Sequence, residues 1–98
     1  MTDAHTASAT VTTATPERYA KQLASHLGRR CEIREEPDGI RVVLADTGDC
    51  LLARGDGALE MTAIAIGPEE LDRVMHVVGS HLERFGQRNE LQVSWQFA

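Results

Sequence analysis

A chain of 98 residues with 42% hydrophobic and 26% charged side chains has the length and make-up of one small globular domain. Its net charge is −5, from 10 basic and 15 acidic residues. With a single lysine and with arginines interleaved among acids, it lacks the clustered cations that grip phosphate, so neither nucleic acid nor an anionic membrane surface is expected as a partner. No apolar run approaches the roughly 20 residues that span a bilayer, and the opening MTDAHTASAT carries no basic-then-apolar leader, so the expected location is the cytoplasm.

Residues 1–8 are small and polar and read as a disordered tail that includes His5, leaving 9–98 as a single domain. ATVTTA (9–14) is rich in β-branched residues and predicts a short strand. A helix follows. Thr15 suits its cap, Pro16 its first position and Glu17 the positive end of its dipole. Tyr19, Ala20, Leu23, Ala24 and Leu27 recur at helical spacing, and Gly28 is a stop signal.

Four short strands come next: 31–36, 40–45, 50–54 and 58–66. They are separated by turn residues at Pro37-Asp38-Gly39, 46–49 and 55–57, a spacing that predicts an antiparallel meander. GPEE (67–70) opens a second helix. Its stripe is Leu71, Val74, Met75, Val78, Leu82 and Phe85, and Gly86 ends it. LQVSWQF (91–97) alternates cleanly. Leu91, Val93, Trp95 and Phe97 share one face, so a last strand is expected with Trp95 in the core at the centre of the sheet.

The order is β-α-β-β-β-β-α-β. Each helix has one apolar stripe, and the strands have one polar face, so each layer needs cover on one side only. The expected fold class is α+β: a two-layer sandwich with two helices on one face of a mostly antiparallel sheet.

The two ends resemble each other. TATPERY…SHL…CEIRE parallels AIGPEEL…SHL…LQVSW, which suits a weak internal duplication of a β-α-β half. The repeated histidines, His26 and His81, fall on the flanks of their apolar stripes, displaced in the same sense. The simplest reading of each is a boundary imidazole covering apolar surface. If the helices lie side by side, the two flanks face each other, and a metal, haem or pH-responsive site becomes geometrically possible. A metal there needs a third ligand, which the sequence does not name, and no cofactor is expected. His76 points away from the stripe.

Catalytic patterns are missing. Ser25–His26 and Ser80–His81 are neighbours on helices and diverge by about 100°, so neither is a dyad. No nucleophile elbow, phosphate loop or zinc-protease motif occurs, and an enzyme is not expected. Cys31 and Cys50 open strands two apart in the meander, too far for a disulfide, and read as free thiols. The acidic pairs at turns lack calcium-loop spacing. Arg29-Arg30 and Arg84/Arg88 suit the negative ends of the helices, and an anion is the other group they could hold.

ERYAKQLASHLGRR and HLERFGQRNELQVSW resemble the signature segments of the bacterial domain-of-unknown-function family 2218. The matching positions are Arg18, Tyr19, Lys21, Gln22, Leu23 and His26, then His81, Leu82, Glu83, Arg84, Phe85, Arg88, Glu90, Leu91, Val93 and Trp95. The resemblance spans about residues 9–96, with the closing motif the more specific. The family has no assigned reaction. The resemblance implies an association with siderophore-interacting flavin reductases, and so an accessory role in iron acquisition. The element order also resembles TATA-binding-protein-like folds, with no DNA-binding implication given the charge.

The expectation is therefore a small cytosolic, non-enzymatic accessory or ligand-binding module linked to iron–siderophore handling, with a siderophore-interacting reductase as its partner. Its candidate ligand-binding residues are His26, His81, Arg84 and Tyr19. The alternative is a homodimeric interaction module that associates through a sheet edge or the open sheet face.

Overall fold

Short turns set the sheet. In the computed structural model, which describes residues 5–87 and 91–97, Pro37-Asp38 leads into Gly39, whose φ of 155° suits a residue without Cβ. A Cβ there would sit 2.2 Å from the Leu52 carbonyl oxygen, so glycine also allows the neighbouring strand its close approach. Asp46 (φ 59°) and Gly57 (φ 65°) turn the chain through left-handed geometry at the next two corners.

These corners separate β2 (Glu32–Glu36), β3 (Gly39–Leu44), β4 (Gly48–Gly55) and β5 (Ala58–Ala65). Before them come β1 (His5–Thr12) and α1 (Pro16–Leu27). After them come α2 (Pro68–Phe85) and β6 (Gln96–Phe97). The sheet order is β2-β3-β4-β5-β1-β6, and each of these neighbouring pairs is antiparallel. This is the α+β sandwich that the sequence predicts.

Register explains the core. Ile33, Val42, Cys50, Ala63 and Ala7 lie opposite one another across five strands and face the helices. The parallel rung is Ile40, Leu52, Met61 and Ala9. Leu23 and Leu27 of α1 and Leu71, Val74, Val78 and Leu82 of α2 bury against these rungs. α1 lies over β4, β3 and β5, and α2 over β5, β4 and β1, so both helices share one face.

The opposite face is open. There Arg41 donates to Glu36 at 2.7 Å and to Asp49 at 3.2 Å, holding β2, β3 and β4 in register from the solvent side. Glu17 joins α1 to the sheet by accepting from Arg54 at 3.1 Å, and it pairs with Lys21 at 3.2 Å.

Three expectations are corrected. First, residues 5–8 are not tail: the strand begins at His5, Ala7 is fully buried, and the strand ends at Thr12 rather than 14. A run of small residues reads as loose by composition, but Ala7 and Ala9 are what fits between β5 and the overlying α2. Residues 1–4 lie outside the described region.

Second, LQVSWQF is not a seven-residue strand. Only Gln96 and Phe97 pair, with Ser8 and Ala7 of β1. Third, Trp95 is not at the centre of the sheet. The segment 91–95 runs along the flank of α2, where Gly79 and Gly86 leave room: a Cβ on Gly79 would lie 3.0 Å from the Trp95 indole nitrogen, and one on Gly86 2.3 Å from Leu91. The Leu91 N–H donates to the Gly86 carbonyl at 3.1 Å and the Val93 N–H to the Glu83 carboxylate at 2.9 Å. Alternation does mark one apolar face, but Leu91, Val93 and Trp95 spend it on the helix flank, and Phe97 is 71% exposed.

Candidate functional site

α1 stops where its backbone tightens. The Gly28 N–H donates to the Ala24 carbonyl at 2.8 Å, and Arg30 and Cys31 both donate to the Leu27 carbonyl, at 3.0 and 2.8 Å. This compact turn projects Arg29 and Arg30 at the end of the helix and starts the chain back toward β2. His26, in the last turn of α1, is carried to the side of α2.

The two histidine flanks meet. The ring centroids of His26 and His81 are 4.9 Å apart, tilted at 44°. Phe85, one turn beyond His81, meets His26 edge to face at 5.3 Å. His81 is half-buried and its Nδ1 lies 2.6 Å from the Val77 carbonyl oxygen. Nδ1 must donate in that contact, so the neutral ring carries its lone pair on Nε2.

Beside the pair opens a cleft of about 630 Å³, lined by Leu27, Leu44, Ala45 and Val77 as well as His26, His81, Arg29, Arg30 and Cys31. That size falls within the range of small-molecule sites. No carboxylate lines it. Among the described residues neither Arg29 nor Arg30 has an ion-pair partner. Burial pushes the Cys31 thiol up, so at neutral pH it is protonated and offers a weak donor rather than a thiolate.

Of the four predicted ligand residues, His26 and His81 come together at the cleft. Arg84 is exposed and does not line it. Tyr19 does not line it either: it is buried in the core, 7% exposed and two helical turns before His26. It sits on the apolar stripe, and its ring serves packing. Arg88 and Glu90 of the closing motif lie outside the described residues. His76 is exposed.

Arg29, Arg30, Cys31 and Val77 complete the site. Sequence reading gave the arginines to helix capping first, with an anion as the other group they could hold. The signal available was that Arg29-Arg30 follows His26 directly at the helix end. A metal is poorly served, because among the described residues no three His, Cys, Asp or Glu side chains are grouped to hold one. Cys31 and Cys50 are both free. Cys50 lies two strands from β2 in the register and is wholly buried, which pushes its thiol up to about 12.

Among solved structures, the chain is similar to the NMR structure of PA4090 from Pseudomonas aeruginosa. The two share 23% identity and a TM-score of 0.76, over 94% of this chain and 95% of that one. It is also similar to a de novo designed protein with a ferredoxin fold, solved by solution NMR, at 13% identity and a TM-score of 0.57, over 96% of this chain and 83% of the design. Both likenesses concern the fold. No curated protein matches the chain. The family described as "Uncharacterized protein conserved in bacteria (DUF2218)" matches residues 8–96, nearly the whole length, and the chain belongs to that family.

Proposed function

We propose that this domain is a small-molecule binding module whose site is the cleft between the end of α1 and the flank of α2. One observation carries the reading: His26 and His81, on different helices, are brought to 4.9 Å at the mouth of a cleft that also holds two arginines without ion-pair partners among the described residues. His26, Arg29 and Arg30 are exposed and line a space large enough for a ligand, so their donors are open to one.

The family resemblance supplies the first ligands to test, ferric siderophore complexes, with a siderophore-interacting reductase as the acceptor to which they are passed. The experiment is a titration of ¹⁵N-labelled protein with the ferric complex of 2,3-dihydroxybenzoate, using the diamagnetic gallium(III) complex as control. Paramagnetic broadening confined to His26, Arg29, Arg30, Cys31, Val77 and His81 supports the reading. Broadening spread over the surface, or none at all, sinks it.

A second reading is favoured by one observation on the other side of the sheet. Val43, Leu51 and Ile64 share the open face with Arg41, Asp49 and Thr62, and Ile66, 73% exposed, follows β5. A homodimer through this face would cover them. Sedimentation at micromolar concentration decides it, since a monomer removes the dimer and leaves the cleft untouched.

A further inference from the structure

We infer that the cleft selects small organic anions with a flat apolar body, and that it binds them more tightly as the solution becomes more acidic. The inference rests on the binding role proposed above and specifies its ligand.

The charged and titratable groups around the imidazoles define the selectivity. α1 and the turn after it present Arg29, Arg30 and the Cys31 thiol. α2 presents Arg84, exposed, one turn beyond His81. The end of β3 presents only Leu44 and Ala45, and the first carboxylate beyond them, Asp46, lies outside the lining. A chain with 15 acids and 10 bases has thus left this concavity with cations and no acid. A cationic ligand would meet like charge there. A neutral ligand would leave the guanidinium groups unpaired. A carboxylate gains charge-assisted hydrogen bonds from arginine, the stronger kind.

The walls set the body of the ligand. Leu27, Leu44, Ala45 and Val77 are aliphatic, and the lining His26 and His81 rings, tilted at 44°, each add an aromatic surface for a planar group to contact. The His81 hydrogen bond sets the proton dependence. With Nδ1 engaged by Val77, the edge left for a ligand is Nε2. In the neutral ring that atom is a lone pair and repels a carboxylate oxygen. Once protonated it donates. The bound anion therefore favours the protonated His81 ring, and affinity falls as pH rises.

The test uses three isosteric probes, benzoate, benzamide and benzylamine, titrated into the protein at about pH 6 and pH 8 and read by the amide and imidazole signals of the cleft residues. At the lower pH, benzoate should bind about tenfold more tightly than benzamide, with benzylamine weakest. The benzoate advantage should shrink several-fold at the higher pH. The exposed pair R29Q/R30Q should lose the discrimination while its amide spectrum stays folded. Benzamide or benzylamine binding as tightly as benzoate at the cleft would overturn the anion selectivity but keep the binding role. A benzoate affinity that does not change with pH would overturn the proton linkage. No perturbation of the cleft by any of the three would remove the inference and leave the binding role to the ferric-complex titration.

Discussion

The Nδ1 of His81 donates to the carbonyl oxygen of Val77, one helical turn earlier, at 2.6 Å. This short contact fixes which nitrogen carries the proton in the neutral ring. Long-range ¹H–¹⁵N spectra at about pH 8 should show His81 in the Nδ1–H tautomer, against the usual preference of free histidine. Observing Nε2–H there would show that the Val77 contact does not form in solution, and it would leave the proton dependence of the cleft without a cause.

The flank of α2 offers a second check. A methyl added at Gly86 would overlap Leu91 at its Cβ, 2.7 Å away, and not only at its flexible tip, whereas one at Gly79 meets the Trp95 indole at 3.0 Å. G86A should cost about 1–3 kcal/mol in urea unfolding, the scale of overpacking. G79A should fall within about 1 kcal/mol of wild type, because the gain in helix propensity offsets a small shift of a half-buried ring. Equal stabilities for G86A and wild type would mean that the segment 91–95 does not lie against α2.

How far the sequence specified all this can be seen at those same residues. Helix α2 was legible because Leu71, Val74, Val78 and Leu82 repeat at helical spacing and bury together. The meander was legible because its corners need Gly39, Asp46 and Gly57. The placement of 91–95 was not, since alternation in LQVSW states that one face is apolar but not whether a sheet or a helix flank receives it. The histidine pair was half legible. Helical phase put both rings on flanks, but their meeting depends on how α1 and α2 sit on the sheet, which no local pattern encodes. The role of Arg29 and Arg30 was not legible for a related reason, as a cation after a helix looks the same whether it serves the dipole or a ligand.

Acid should weaken the fold through the open face. The guanidinium of Arg41, by hydrogen bond and by charge, holds the Glu36 carboxyl below the usual carboxylate range. A depressed carboxylate stabilises the fold above its unfolded titration point, about pH 4.3, and that stabilisation is lost as pH falls through the lower folded value. Glu17, held down by Lys21 and Arg54, and Glu32, held down by Arg34, act in the same direction. Melting temperatures should therefore fall steadily below about pH 4.3, and R41Q should show a shallower fall than wild type. Parallel curves for the two proteins would show that Arg41 is not the source.

The thiols should separate by reactivity. Burial raises both, Cys50 to about 12 and Cys31 to a lesser degree. Cys50 is also closed to reagents, at 0% exposure. Iodoacetamide at about pH 8 should label the folded protein once, slowly, at Cys31, and benzoate in the cleft should slow it further. Both cysteines should label in guanidinium. Labelling of Cys50 under native conditions at the rate of Cys31 would mean that the sheet opens readily around β4.

The pairing of Phe97 with Ala7 closes the polypeptide into a near-circle: ninety residues of chain leave and return to one place on the outer edge of the sheet. Bringing distant ends together has an entropic cost that grows slowly with the length enclosed, and here two backbone pairs and the docked Leu91–Trp95 stretch must meet it. A peptide linker joining those ends, with new termini cut at the Ala45–Thr47 corner, would make this closure covalent and pass the cost to the β3–β4 pairing, so a circular permutant of this domain should fold.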